Sequence, residues 1–229
     1  MQANIVSVEP THVIRVLKKH YPEKGMMDLG NAEDTLLGVL LSARTRDVQV
    51  LKLFPAFRKR FPNFRSLAAS NPSEIEKFIS TIGLYKSKAR ALHGLAQRII
   101  KEFDGKVPDT MEALTSLPGV GRKTANCVLS YVYHQPAIAV DTHVFRITHR
   151  LGWTKKKTPE QVERELQKLI PKNAWSDINT TMVPFGRDIC RPGVPQCWRC
   201  PVREWCAYPK KTDKPSSSSR PRSTAGEGP

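Results

Sequence analysis

The sequence predicts an all-α protein. Apolar residues recur at helical spacing in segment after segment, and Asn, Asp, Pro and Gly punctuate the gaps. No stretch alternates apolar and polar residues long enough to be a strand, and the β-branched run 137–140 is too short to matter. At 229 residues with 39% hydrophobic content, the chain can bury one large core or two small ones.

In chain order, residues 11–20 carry Val13, Ile14, Val16 and Leu17 at helical spacing and stop at Tyr21-Pro22. Residues 34–43 include Leu36-Leu37-Gly38-Val39-Leu40-Leu41, apolar enough to predict a helix at the centre of the core. It runs into Ser42-Ala43-Arg44-Thr45-Arg46-Asp47. A helix with Val48, Val50, Leu51 and Phe54 begins near Asp47, and Pro55 predicts a kink in it. Asn71-Pro72-Ser73 opens a helix reaching about Thr81, and 87–103 reads as a long basic amphipathic helix closed by Asp104-Gly105. A short helix spans 110–114, a mostly apolar one 124–133, and three more are expected over 142–150, 159–170 and 174–185. The segment 210–229, with four serines in a row among Pro, Gly and Lys, lacks the apolar residues to order itself.

Lys and Arg number 37 against 21 Asp and Glu, a net +16. Only five basic and two acidic residues fall in 210–229, so the excess lies on the folded part. A globular body with that charge points to a polyanion, nucleic acid before a membrane surface. No apolar run approaches membrane-spanning length, and the N-terminus lacks a basic-then-apolar signal pattern. The expected setting is cytoplasmic, at the nucleoid.

The most informative stretch is Leu117-Pro118-Gly119-Val120-Gly121-Arg122-Lys123-Thr124-Ala125. Proline and two glycines cannot continue a helix, so the chain turns sharply there into a helix-hairpin-helix. Gly119 and Gly121 leave the turn bare, letting backbone N–H groups approach an anion at the start of the second helix. Arg122 and Lys123 occupy its first turn, where cations need something negative opposite, such as a backbone phosphate. Pro-Gly-x-Gly by itself equally describes an ordinary helical hairpin. Val140-Asp141-Thr142-His143, eighteen residues past Lys123, adds a carboxylate at the start of another helix. Two helix starts could then deliver an amine and a carboxylate to one cleft.

Cys190, Cys197, Cys200 and Cys206 form C-x6-C-x2-C-x5-C, four thiols within seventeen residues. In a reducing compartment this spacing predicts a metal site rather than disulfides. Only one C-x2-C knuckle occurs, and the spacing leaves zinc and a cubane iron–sulfur cluster both open. Arg191, Arg199 and Arg203 sit on the same loop. Cys127, within the apolar helix after the hairpin, reads as core.

Residues 117–125 followed by Ala139-Val140-Asp141-Thr142-His143 resemble the helix-hairpin-helix (HhH-GPD) DNA glycosylases, most closely their endonuclease III branch. Leu40-Leu41-Ser42-Ala43, Ile82-Gly83-Leu84-Tyr85 and the terminal cysteines carry the same likeness, which runs from about residue 10 to about 208. It implies a six-helix domain, 25–135, inserted into a second domain made of 1–24 and 136–209, with 210–229 as a disordered basic tail. It also implies a [4Fe–4S] cluster on Cys190, Cys197, Cys200 and Cys206, stapling a basic loop. The implied partner is double-stranded DNA with a damaged base or abasic site, met by a monomer.

The implied activity is that of a bifunctional glycosylase and abasic-site lyase acting on oxidised pyrimidines. Such an enzyme must extrude the nucleotide from the stack. Leu84 would wedge between bases with Ile82 behind it, although both also suit plain packing at a helix end. Lys123 would attack C1′, its pKa lowered by Arg122 and a dry cleft, while Asp141 stabilises positive charge on the sugar and caps the next helix. His143 reads as a supporting DNA contact, together with Gly119, Gly121, Arg122, Arg191 and Arg199. Arg44 departs from the resemblance, which has glutamine there. A longer donor-only side chain should favour acceptor-rich edges such as guanine in the opposite base. Relatives that only remove mismatched adenine or thymine lack a lysine at 123, which argues against a monofunctional enzyme. A non-catalytic hairpin clamp would have no use for the matched Lys123 and Asp141.

Overall fold

The computed structural model describes residues 8–22 and 25–215, and every regular element among them is helical. The α-helices are α1 (Pro10–His20), α2 (Ala32–Ser42), α3 (Asp47–Arg60), α4 (Phe64–Ala69), α5 (Pro72–Phe78), α6 (Tyr85–Glu102), α7 (Met111–Ser116), α8 (Arg122–Tyr131), α9 (Thr142–Leu151), α10 (Pro159–Leu169) and α11 (Trp175–Asp188). Short 3-10 turns at Lys172–Ala174 and Cys197–Arg199 complete them.

Many starts are written in the sequence as caps. Asn31, Asn63, Asn71, Thr110, Asp141 and Thr158 each accept a hydrogen bond from a backbone N–H of the helix they precede, satisfying donors that a helix start leaves open. α4 was not expected. It has only six residues, too few for an apolar period to stand out, yet Asn63 and Ser66 form a complete capping box around it. α3 continues through Pro55 for 14 residues, so the proline interrupts bonding without ending the helix. α11 likewise contains Pro184 and runs three residues past the expected end at Phe185.

α2 is buried from Thr35 to Ser42 and packs against α3, α6 and α8. That is the central position its composition requires. Buried apolar residues divide into two large clusters. One gathers α2 to α8 around Leu36, Phe57, Leu92 and Val128, and the other gathers α1, α9, α10 and α11 around Leu17, Val144, Leu166 and Phe185. A small third group, Met27, Val39, Cys127 and Ala139, joins α2 and α8 to the segment before α9.

That segment, 137–140, is buried and belongs to no helix or strand. Two asparagines bond its central peptide groups instead. Asn126 of α8 donates to Ile138 O at 2.9 Å. Asn179 of α11 accepts from Ala139 N at 2.8 Å and donates to Ala139 O at 2.6 Å. A buried peptide group without such partners would cost roughly 1–3 kcal/mol, so the two amides fix where Asp141 emerges.

Beyond α11 the chain crosses the cysteine loop. Thr212 accepts from Cys197 N at 3.1 Å, and Arg203 donates to Thr212 O and pairs with Asp213. Order therefore extends past the expected start of the tail at 210, and residues 216–229 lie outside the described ones. No helix among the described residues is long and apolar enough to cross a membrane.

Candidate active site

The hairpin forms as the sequence indicates, with a physical division of labour between its glycines. Gly119 has φ +76, and a Cβ there would stand 2.7 Å from Ala91 Cβ of α6, so both conformation and packing demand glycine. Gly121 is extended and faces open space. Leu117 and Val120 are buried and anchor the turn. Lys123 then leaves the first turn of α8 as an accessible side chain.

Asp141 caps α9, accepting from His143 N at 2.9 Å and Val144 N at 2.8 Å through Oδ1. Both bonds use one oxygen. Lys123 and Asp141 line the same cleft, together with Met26, Asp47 and Arg187, and cavities open on both sides of them. One cavity runs back past Tyr131, Asn179 and Val183; the other opens toward Arg44, Thr45 and His143. Asp47, at the start of α3, pairs with Arg187 of α11 across the cleft.

The expected depression of the Lys123 pKa is not found. It is raised, first by Cys127 one helical turn away, with Asp141 and Asp47 acting in the same direction; desolvation and Arg187 oppose them. Arg122 does not contribute because its guanidinium is turned away. It makes a bidentate pair with Glu163 of α10, both bonds at 2.8 Å. The negative partner that a cation in the first turn requires is thus supplied by the protein itself. Cys127 is buried as expected, and burial pushes its thiol upward.

His143 is half-buried, and desolvation lowers its pKa against the pull of Asp141. Arg146 donates to its Nδ1 at 3.2 Å, which leaves the proton of neutral imidazole on Nε2. Gly186 makes this packing possible, since a Cβ there would lie 2.6 Å from His143 Nδ1.

Ile82 is buried in the first cluster while Leu84 is 51% exposed. Leu84 and Arg44 both adopt left-handed backbone, φ 59 and φ 53, which costs a non-glycine residue about 1–2 kcal/mol. Their loops touch: a Cβ on Gly83 would be 3.2 Å from Arg44 O. Arg44 is exposed and lines the cleft with Lys123.

Cys190, Cys197, Cys200 and Cys206 are free and line one apolar pocket with Ile147, Leu151, Phe185 and Val202. Burial, reinforced by the other thiols, pushes Cys200 up to about 12 and raises Cys206. Arg150 donates to Cys190 Sγ at 3.4 Å. Four soft donors around one pocket with an adjacent guanidinium suit a group that binds thiolates. Among the described residues, no three His, Cys, Asp or Glu side chains group closely around one metal-ion position. The arginines expected to reach phosphates are engaged internally. Arg191 donates to the Arg187 and Asp188 carbonyls at the end of α11, and Arg199 pairs with Asp188, whose carboxyl both Arg199 and Tyr21 hold below its usual value.

Not foreseen were Asp47, Arg187, Glu163 and the asparagine pair. Each depends on elements distant in sequence meeting at the cleft.

Two helices, α7 and α8, joined through the tight Pro118-Gly119-Val120-Gly121 turn define the helix-hairpin-helix class. A family model for "HhH-GPD superfamily base excision DNA repair protein" matches residues 37–172. The chain is 42% identical over 182 residues to endonuclease III of Thermotoga maritima, covering 78% of this chain and 84% of the relative. It is 39% identical over 183 residues to endonuclease III of Escherichia coli K12, with coverage of 79% and 85%. A solved non-covalent endonuclease III–DNA complex superposes with TM-score 0.82 at 37% identity, covering 86% of this chain and 92% of the other. A thermostable thymine-DNA glycosylase, 24% identical with TM-score 0.79 and coverage of 86% and 95%, shares the fold. The chain belongs to the HhH-GPD superfamily of base excision DNA repair proteins, and within it is a DNA glycosylase.

Proposed function

We propose that the protein acts as a monomer at the nucleoid, excising oxidised pyrimidines from double-stranded DNA and cleaving the abasic strand. The observation that carries this is the meeting of Lys123 and Asp141 in one cleft, each delivered by a helix start. In the proposed reaction, the neutral Lys123 amine attacks C1′ of the extruded nucleotide and the N-glycosidic bond breaks. The base leaves with the electron pair and takes up a proton. Loss of the amine protons and opening of the sugar give an imine between Nζ and C1′. Removal of the 2′ proton then expels the 3′ phosphate by β-elimination. Asp141 opposes the positive charge on the sugar from a fixed position, because its other role as cap leaves it little freedom.

The raised Lys123 pKa means the amine is neutral in few molecules at pH 7, so a proton must leave before attack. Arg44 and Leu84 are read as the parts that fill the gap left by extrusion. We also read the chain as an inserted domain, 25–135, within one built from 1–24 and 136–209; the division of the apolar clusters supports this. The four cysteines would hold a [4Fe–4S] cluster, whose contribution is to staple a loop that lacks regular structure. Purified protein should then contain iron, not zinc, with broad absorbance toward the blue.

Borohydride added during reaction with abasic or thymine-glycol DNA should trap a covalent adduct. Lys123→Ala should abolish it and Asp141→Asn should slow it. An adduct that survives Lys123→Ala removes the mechanism. Base release with no adduct from the unmutated protein would instead mark a monofunctional glycosylase, and tight binding with neither would mark a non-catalytic clamp.

A further inference from the structure

The reaction just proposed leaves one buried cation unused. Lys88, in the first turn of α6, is 5% exposed. Its ammonium donates to Leu41 O at 2.7 Å and to Thr45 Oγ1 at 2.8 Å. Burying an ammonium with only neutral partners is costly, and burial pulls its pKa down to about 8. An apolar residue at this position would avoid that cost, so some other requirement holds the lysine there.

The geometry supplies it. Leu41 is in the last turn of α2, where carbonyls lack helical partners and a cation is favoured. Thr45 follows Arg44 directly. The backbone N–H of Lys88 donates to Leu84 O at 3.0 Å, and Ser87 Oγ donates to the same carbonyl. One residue therefore bonds to both sides of the Arg44 turn and to Leu84 itself. Arg44 and Leu84 both have left-handed backbone, and Gly83 lets their loops touch.

We propose that Lys88 is a positioning residue for base extrusion, locking the loop of Arg44 against the loop of Leu84 so that both enter the duplex as one rigid wedge. This rests on the glycosylase reading above. A preformed wedge loses less conformational freedom on entering DNA than two independent loops. Lys88 lies outside the Lys123–Asp141 cleft, so the covalent chemistry should not depend on it.

The test compares two DNAs. On a duplex, extrusion needs the wedge; on a single strand with an abasic site, there is no opposite base and no stack to hold open. Lys88→Met removes the side-chain bonds to Leu41 and Thr45 while keeping the chain length. Excision from duplex thymine-glycol DNA should fall roughly 10- to 100-fold, the scale of an ångström-level misplacement. Borohydride trapping on single-stranded abasic DNA should stay within about twofold. Lys88→Gln loses the charge and keeps a shorter donor at the same site, outside the Lys123–Asp141 cleft; it should show a smaller, duplex-confined loss and serves if Lys88→Met does not fold. Equal losses on both DNAs, or no loss on the duplex, overturn the proposal. Absence of an adduct with the unmutated protein on either DNA would instead refute the lysine Schiff-base step on which this readout depends.

Discussion

Asn179 offers the sharpest test of how the cleft is assembled. It is 4% exposed, and its amide both donates to and accepts from Ala139. Asn179→Ala deletes both bonds and leaves a buried N–H without its acceptor. The carbonyl keeps one donor, Asp141 N at 3.0 Å. At about 1–3 kcal/mol for a group left unsatisfied, a full loss at both positions would approach roughly 2–6 kcal/mol. Asn179 also lines the cavity behind Lys123, where water can enter, and Ala139 O retains Asp141 N. The expected destabilisation is therefore near the bottom of that range, about 2–3 kcal/mol. Asp141 begins two residues after Ala139, so single-turnover trapping should slow by about 10-fold or more. Urea unfolding followed by helical circular dichroism gives the first quantity and borohydride trapping gives the second. Asn179→Asp adds a signature in pH. Its carboxylate would accept from Ala139 N but meet Ala139 O without a donor, raising its folded-state pKa above the unfolded value. Stability should then be greatest at low pH and fall as pH rises through that raised pKa. Asn179→Ala within about 0.5 kcal/mol of the parent, with trapping unchanged, would show that the 137–140 segment is held by its apolar side chains and that the asparagine account is wrong.

Other consequences follow from the same geometry. Cys127, Asp141 and Asp47 hold the Lys123 pKa up. The trapping rate should therefore rise with pH along its acidic limb, and Asp47→Asn should move that limb to lower pH; a shift to higher pH would contradict the charge assignment. Gly186→Ala drives a methyl into His143 and Arg146 and should cost about 1–3 kcal/mol in urea unfolding. Arg44→Gln should redistribute excision among the four opposite bases, measured on duplexes differing only there. An unchanged pattern would remove the guanine-edge argument.

Local signals made most helices legible. Asn71-Pro72 and Thr110 announced helix starts, Asp104-Gly105 an end, and the apolar run of α2 its central place. α4 escaped because six residues are less than two helical turns, leaving only its capping box to show it. Lys123 and Asp141 stood out because their types and places at helix starts are themselves local facts. The charge around them is not legible in the sequence, for the opposite reason. Whether Arg122 faces Lys123 or Glu163 depends on where α10 packs, 41 residues away.

The chain order of amino acids, through periodicity, caps and Pro-Gly turns, was sufficient to determine an all-helical protein, a hairpin presenting a lysine, and an aspartate capping the helix beyond. Those rest on interactions within a few residues. Tertiary packing decided the partners of the charges: Glu163 for Arg122, Arg187 for Asp47, Asp188 for Arg199, and the neutral cage around Lys88. Electrostatic and hydrogen-bonding energies depend on distances of a few ångströms between segments far apart in sequence. No local pattern encodes those distances, so the protonation balance of the cleft is a property of the assembled fold.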